Sequence, residues 1–426
     1  MKIAKFNILF ILFFCSFAIT AQNSINSPYS RFGLGVLHGR NVNTVSMGMG
    51  GVAYAINDPT MVNPANPASY AAFDSTSFIF EASLIGNFDN IKTNVASEKS
   101  SYMTLNYVLL GFPVSKWWKT SLGVMPYSKI GFNVKITAEV DNFSNVVNEL
   151  NGEGGLNQFY WGNGFKIGKN LKIGFDATYV FGQGSRSSLV YYPDSLYIRS
   201  TKVENSTTGK DFIFDYGLQY DFHLNNDRLL RIGLVYANTF YMKATQSSVG
   251  YTMFGGYSDF SEDIQDTIFY IPEDEGLILI PQQAGVGITL LKSNRWLVSA
   301  DFAWQQWNSF EAFGQNDSLT DAWRIAVGGQ YTPKFTSISN YFTKVTYRAG
   351  FRYENTYLYL FGKQISGYGI SFGLSLPLKN SKSGIDIGFE FGKLGTTENN
   401  LLQTNFVNFS LGISIFESWF NKRKYN

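Results

Sequence analysis

Apolar and polar residues alternate along most of this 426-residue chain, from about residue 76 to residue 416. From Val407 to Ile415, every odd position is apolar and every even position is asparagine, serine or glycine. A period of two is typical of β-strands that bury only one face. The pattern predicts fourteen strands, over residues 76–88, 100–112, 119–134, 156–168, 171–183, 210–223, 228–243, 282–292, 295–308, 321–333, 343–355, 365–378, 383–393 and 403–416.

The connections between these segments distinguish a membrane barrel from a soluble sandwich. The connections after segments 2, 4, 6, 8 and 12 are short, as at residues 168–170. Those after segments 3, 5 and 7 are long, about 20 to 40 residues, and outer-membrane barrels combine short periplasmic turns with long outer loops. We therefore predict an all-β fold, a 14-stranded antiparallel transmembrane β-barrel over residues 74–416, in the outer membrane of a Gram-negative cell.

The composition supports this assignment. Aromatic residues make up 17% of the chain, and charged residues only 15%, against roughly 25% in soluble domains. So few charges argue against a disordered chain and against a nucleic-acid partner. After the first twenty residues, the chain has no run of about 18 apolar residues, which excludes a helical membrane protein.

The two ends of the chain carry processing and anchoring signals. Lys2 and Lys5 precede an apolar stretch, which is the layout of a secretory signal peptide over residues 1–21. The only cysteine, Cys15, lies in this stretch, so the mature chain has neither disulfides nor thiolate metal ligands. At the other end, residues 417–426 form a short basic periplasmic tail, in which Lys422 and Lys424 face the anionic membrane surface.

Residues 22–73 differ from the rest of the chain. They hold four of the 11 prolines and show little strand alternation. A barrel of fourteen strands encloses more space than its own side chains fill, yet less than an open porin does. We therefore expect this segment to be an N-terminal hatch, a plug inside the lumen.

Residues 46–69, SMGMGGVAYAINDPTMVNPANPAS, resemble the hatch signature of the FadL-type channels for long-chain fatty acids and aromatic hydrocarbons. The signature is a glycine-rich turn, a small-residue helix, an acidic residue and then Asn-Pro-Ala. The resemblance implies passive uptake of a hydrophobic small molecule, a hatch that moves around residues 57–66, and no cofactor. The residues that carry the resemblance, and with it the expected gating role, are Gly48, Gly50, Gly51, Asp58, Asn63, Pro64 and Ala65.

The third predicted strand contains a proline, Pro126, where proline removes a ladder hydrogen bond. In the resembled family, this strand has a kink that opens the barrel wall sideways into the bilayer. One interpretation is thus a lateral opening formed by Pro126, Tyr127, Ser128 and Lys129. The other is a bulge that only re-aims the strand.

Charged residues of inward parity are the remaining candidates for binding. Unpaired charge in a crowded lumen is costly, so we expect these residues to pair with one another or with the hatch. A second hypothesis is that Arg324, Arg348 and Arg352, on adjacent predicted strands, bind a passing carboxylate. The lumen charges singled out on these grounds are Arg324, Arg348, Arg352, Asp386 and Glu390.

Enzymatic chemistry finds little support. The two histidines, His38 and His223, lie far apart in the sequence and have no metal-site spacing. A Ser-His hydrolase would need one of them beside a serine at the mouth of the lumen. The acidic stretch over 259–275 matches no calcium loop and is read as a solvated charge run. We therefore predict no catalytic residues and no metal.

A second function competes with transport. The composition, rich in Asn, Tyr and Phe, and the signal end at Thr20, Ala21 and Gln22 resemble envelope proteins of the Bacteroidota. Barrels of this kind there also serve as subunits or shuttles of protein-export or barrel-assembly complexes. The expected partners are outer-membrane lipid, lipopolysaccharide and a hydrophobic ligand, with other outer-membrane or periplasmic proteins under the second hypothesis. A third hypothesis, a purely structural barrel, predicts a fully blocked lumen.

Overall fold

A computed structural model describes residues 26–37, 43–140, 143–193, 198–224, 227–253, 264–335, 340–379 and 381–418. The predicted signal peptide with Cys15 lies outside the described residues. So do His38, part of the acidic stretch and Lys422 and Lys424 of the basic tail.

The chain forms a closed antiparallel barrel, and the predicted count of fourteen strands is confirmed. Each strand pairs with the next, and the last pairs with the first along its whole length. Two strands are interrupted and have two segments each. The strands are β1 (Ser77–Lys92), β2 (Ser97–Pro113), β3 (Trp118–Val140), β4 (Phe143–Ile167), β5 (Leu171–Tyr191), β6 (Ser200–Leu224), β7 (Arg228–Ala237 and Phe240–Met253), β8 (Ile264–Ile280 and Gln283–Lys292), β9 (Trp296–Gln305), β10 (Ala322–Tyr331), β11 (Thr346–Leu360), β12 (Lys363–Pro377), β13 (Gly384–Gly395) and β14 (Gln403–Ser418).

Helical structure is sparse. The one α-helix among the described residues is the single turn α1 (Thr44–Met47), and short 3-10 turns cover Pro28–Arg31, Pro67–Ala72, Trp307–Ser309 and Glu398–Asn400. None of the described helices is long and apolar enough to cross a membrane.

The outer face of the barrel is apolar on strand after strand. On β12, for example, Tyr368, Ile370 and Phe372 are exposed, whereas Ser371 between them is buried. A continuous apolar outer face is stable only against lipid, and closure leaves no unpaired edge within the bilayer. The protein is therefore a transmembrane barrel of the outer-membrane type.

Six neighbouring strands are much longer than predicted. The expected long connections are largely strand, because only residues 141–142 separate β3 from β4 and residues 192–199 separate β5 from β6. Residues 143–155, 184–191 and 200–209 of these extensions are rich in Ser, Thr, Asn and Gly. Neither face of a strand beyond the bilayer meets lipid, so the alternation on which the prediction rested disappears there. The extensions form one protruding sheet, composed of residues 129–140, 143–155, 182–191, 200–209, 240–253 and 264–280 of β3 to β8.

Candidate functional site

The described residues 43–73 pack against the inner faces of strands around the barrel, and we call them the plug. Glycines on the wall let the plug backbone approach closely. A Cβ atom added at Gly350 would lie 2.1 Å from the carbonyl carbon of Met49, and one at Gly233 would lie 2.0 Å from the carbonyl oxygen of Tyr54. The backbone of the plug therefore lies directly against the backbone of the wall, as closely as in a protein core.

Polar side chains of the wall bind the backbone of the plug. Asp301 on β9 accepts hydrogen bonds from the amides of Ala53 (2.6 Å) and Tyr54 (2.9 Å). Glu81 on β1 accepts one from the amide of Val62 at 2.8 Å. These contacts satisfy buried plug N–H groups that have no strand or helix to pair with.

The glycines of the predicted signature lie at tight contacts. Gly48 packs on Gly373 of β12, and the amide of Gly50 donates to the Ser371 hydroxyl at 2.6 Å. Gly50 and Gly51 have φ values of +73° and +80°. The small-residue helix implied by the resemblance is wrong, because turns follow Gly51 and the helical turn α1 precedes Gly48.

The acidic and Asn-Pro-Ala part of the signature organises the plug internally. The Asp58 carboxylate accepts hydrogen bonds from the Thr60 amide (2.8 Å) and hydroxyl (2.6 Å). The Asn63 amide donates to the carbonyls of Ala53 (2.7 Å) and Ile56 (2.9 Å). Pro64 and Ala65 line a small cavity beside β6.

Tyr70 joins the C-terminal part of the plug to two strands of the wall. Its ring is fully buried and stacks on Tyr160 of β4 at 6.4 Å between centroids. Its hydroxyl donates to Asp176 of β5 at 3.3 Å. Burial raises the pKa of Tyr70 well above its ordinary value, and the neighbouring Asp176 charge raises it further. The phenol therefore stays protonated and available as a donor.

The barrel wall has a gap between β2 and β3. Their pairing runs from Pro113 with Lys119 up to Val108 with Val124 and ends there among the described residues. Both strands are irregular at this point: Asn106 is a bulge residue against β1, and Tyr127 is one against β4. Bulges bend a strand and increase its twist, so the two strands part directly after Val124, two residues before Pro126.

Part of the gap is taken by the N-terminal segment. Val36 pairs with Lys129 and Leu37 with Ser128, so this two-residue strand stands beside β3 where β2 would. Gly35 has a φ of +88°, and a Cβ there would lie 2.4 Å from the Lys129 carbonyl oxygen. The Lys129 ammonium reaches across and lies 5.6 Å from the ring centre of Tyr102 on β2. All four residues of the predicted lateral opening thus lie at or beside the gap.

A cavity of about 360 Å³ lies above the plug and extends to this gap. Its floor includes Met47 and Gly51 of the plug. Towards the gap it is lined by Leu37, Tyr102 and Lys129. The cavity therefore joins the plug to the unpaired part of the wall.

Most of the predicted lumen charges pair with one another. Arg352 binds Glu390 at 2.5 Å and Glu354 at 2.6 Å. Arg348 donates to Ser375 at 2.6 Å and lies 3.8 Å from Asp386. A second group, Lys172, Asp221 and Arg231, forms a buried cluster in which Arg231 and Asp221 are 2.6 Å apart.

Arg324 is different. It is buried, lines the cavity and forms no ion pair with another described residue. Arg352 lines the same cavity but is paired with two carboxylates, and Arg348 is also engaged. Arg324 interacts electrostatically with Asp301 at longer range. The three arginines therefore do not converge on one ligand.

Sequence reasoning missed several of these residues. Asp301 and Glu81 have inward parity, which shows that they face the lumen but not that they bind plug amides. Asn106 carries no proline or glycine signal for its bulge, and Val36 and Leu37 are too short a run to predict a strand. Among the described residues, no group of three His, Cys, Asp or Glu side chains could hold a metal ion.

Comparison with known proteins agrees with the barrel. A family model described as BamG matches residues 2–426. No curated protein matches the chain.

Several solved structures share the fold. The toluene transporter TbuX of Ralstonia pickettii is 15% identical with a TM-score of 0.57, over 91% of this chain and 99% of that one. A FadL homologue of Pseudomonas aeruginosa is 12% identical with a TM-score of 0.56, over 88% and 98%. The toluene transporter TodX of Pseudomonas putida is 16% identical with a TM-score of 0.55, over 91% and 100%. The resemblance to FadL-type proteins is thereby confirmed for the fold.

Proposed function

The chain belongs to the BamG family, and within its FadL-type fold we propose a passive outer-membrane channel that releases a small hydrophobic molecule sideways through the gap between β2 and β3. The observation that carries this proposal is the cavity, which reaches from the plug to the unpaired wall at Tyr102 and Lys129. An apolar molecule entering the bilayer there avoids the water below the plug, and burial of its surface drives the transfer.

In this proposal the plug is a hatch, and the strand Val36–Leu37 is the gate of the lateral path. The gate is held by a short ladder to Ser128 and Lys129, which is far less pairing than joins complete barrel strands. Arg324 would hold a polar group of the ligand, such as a carboxylate, because it lines the cavity and forms no close ion pair with another described residue. The similar proteins TbuX and TodX are toluene transporters, and an apolar or aromatic molecule is the class proposed here.

A reversible bridge across the gap tests the lateral path. The double variant Asn106→Cys/Ser128→Cys places thiols on β2 and β3 where the two strands part. A bifunctional thiol reagent should then stop uptake of a fluorescent fatty acid or toluene into proteoliposomes, and reduction should restore it. The matched control is Leu110→Cys/Leu122→Cys, which joins residues of the same strands that already pair. Equal flux with the bridged gap and with the bridged control would exclude lateral release.

A second candidate function is that of a barrel subunit or shuttle in a protein-export or barrel-assembly complex. The observation that favours it is the family match, which covers residues 2–426 and is to the family described as BamG. Purification from the outer membrane in mild detergent, with mass spectrometry of co-eluting lipid and protein, separates the two. A stoichiometric fatty acid or hydrocarbon in a monomeric barrel supports the channel. A stable protein partner without a small ligand supports the subunit.

A further inference from the structure

The first segment of β8, Ile264–Ile280, is the far edge of the protruding sheet. It pairs with β7 along its length. On its other side, only Ile278 and Leu279 pair, with Ala312 and Glu311. The Phe313 amide also donates to the Leu277 carbonyl at 3.0 Å. No described residue pairs with the outer side of 264–275, and an uncovered strand edge is a template for a further strand.

The upper part of this edge lacks the features that usually prevent pairing. Edges that remain alone are protected by proline, charge or a covering element. Residues 264–271, IQDTIFYI, contain no proline and a single charge. Their large side chains are exposed, with Tyr270 at 64% and Ile268 at 55%. The protective residues begin only at Pro272.

The lower part of the edge is acidic. Glu273, Asp274 and Glu275 follow Pro272, and Glu311 lies beside them on the neighbouring short strand. Asp274, Glu275 and Glu311 line an open crevice of about 340 Å³ together with Tyr241 and Phe313. None of these acids forms an ion pair with another described residue. The crevice therefore offers negative charge and apolar walls to a basic side chain.

We propose that residues 264–271 bind an extended segment of a partner protein as an added strand, and that basic residues flanking this segment contact the acidic crevice. Backbone pairing supplies affinity in this mode of recognition, and flanking pockets supply specificity. The inference goes beyond the channel proposal and does not depend on it.

Charge selects this partner over the alternatives. A second copy would bring acid against acid, because Asp259, Glu262 and Asp263 precede the segment in sequence and Glu273 to Glu275 follow it. Like charges directly opposite each other destabilise a strand pair. The phosphates of lipopolysaccharide are repelled by the same acids. A basic extended peptide gains from both the free edge and the charge.

Site-specific photo-crosslinking in cells tests the proposal. A photo-reactive amino acid is placed at Tyr270 on the edge and, as a matched control, at Tyr359, an exposed tyrosine of β11 away from the edge. We expect Tyr270 to crosslink one protein through a segment of alternating apolar residues with Lys or Arg beside it, and Tyr359 not to crosslink that protein. A crosslink from Tyr270 to a second copy, to lipopolysaccharide or to an acidic segment would overturn the proposal, as would no protein crosslink there.

Charge variants give a second readout. In the Tyr270 background, Glu273→Lys/Asp274→Lys/Glu275→Lys should lower the crosslink yield at least tenfold, and Glu273→Gln/Asp274→Asn/Glu275→Gln should give an intermediate yield. Heat-modifiable gel mobility verifies that both barrels are folded. A synthetic peptide of the captured segment with its basic residues changed to Glu should bind the Lys variant better than the native barrel. An unchanged yield in the folded Lys variant would contradict the charge argument.

Discussion

Single carboxylates of the barrel wall hold the plug by its backbone. Asp301 is the clearest case, because one of its oxygens accepts from two consecutive plug amides, those of Ala53 and Tyr54. Removal of this acceptor leaves two buried N–H groups unpaired, at about 1–3 kcal/mol each. We expect Asp301→Ala to lower the free energy of unfolding by about 2–6 kcal/mol on that basis, measured by urea titration in lipid vesicles.

The conservative variant is the control for this prediction. Asp301→Asn keeps one oxygen acceptor of the same reach and should lose clearly less stability than Asp301→Ala. Limited proteolysis of the plug gives a local readout, and the Ala variant should be cut faster. Equal stability of the two variants would show that the hydrogen bonds to Ala53 and Tyr54 do not hold the plug.

Both the backbone conformation and the close packing at position 50 require glycine. Its φ is +73°, and a Cβ there would lie 2.8 Å from both the backbone nitrogen and the carbonyl oxygen of Phe351. The left-handed conformation alone costs a non-glycine residue about 1–2 kcal/mol. Gly50→Ala should therefore destabilise the barrel more than Gly168→Ala, since Gly168 has a φ of +63° but open space around it. The two variants are compared by their unfolding midpoints in urea. Equal shifts of the midpoint would show that the contact with Phe351 adds nothing to the cost of backbone strain.

At the scale of elements, the two-residue strand Val36–Leu37 depends on a close approach at Gly35. A methyl group at Gly35 would meet the Lys129 carbonyl oxygen at 2.4 Å, so Gly35→Ala should detach this strand from β3. In the variant Ser128→Cys, the thiol should then react faster with a water-soluble maleimide, and hydrophobic flux should rise. Gly33→Ala is the matched control, because its φ is also positive but its nearest contact is a Leu319 side chain at 3.4 Å.

The elements that sequence could predict are those that meet lipid on one face. All fourteen strands show alternation there, whereas the protruding residues 143–155, 184–191 and 200–209 lack it and were expected as loops. Pro126 marked the place where β3 leaves β2, because proline is poorly tolerated inside a sheet. The partner bulge at Asn106 and the pairing of Val36 with Lys129 depend on contacts between distant segments, which alternation cannot encode.

The alternation along each strand correctly predicted that these charged residues face the lumen. It did not predict which charged residues pair with each other. Arg352 and Glu390 lie on β11 and β13 and meet across β12. Arg324, by contrast, has the same inward parity and lines the cavity, where it forms no close ion pair with another described residue. Whether an inward charge is paired depends on the register of neighbouring strands, which the sequence of one strand does not contain.

At the scale of the whole molecule, the two regions proposed to act are the two edges of one sheet. The protruding sheet begins at β3, whose free edge is shared with Val36 and Leu37. It ends at the first segment of β8, whose edge pairs with no described residue between 264 and 275. A closed barrel has no edges within the membrane, so extending only six of its fourteen strands beyond the bilayer creates two. One edge adjoins the lateral gap, and the other is the edge proposed to bind a partner.

The position of the bilayer along the strands predicts where a charged residue is tolerated on the outer surface. Phe372 lies in the middle of the membrane-facing part of β12 and is exposed, while Leu378 lies just past the turn end of that strand and is equally apolar. Arginine at the bilayer midplane costs about 2–4 kcal/mol and near the interface about 0–1 kcal/mol. Phe372→Arg should therefore reduce folding stability in lipid vesicles by that larger amount, whereas Leu378→Arg should be nearly neutral. In detergent micelles, which adapt to a charge, the difference should shrink. A similar loss for both variants in vesicles would mean that the bilayer sits lower on the barrel, and that the gap at Val108 and Val124 opens to water rather than to lipid.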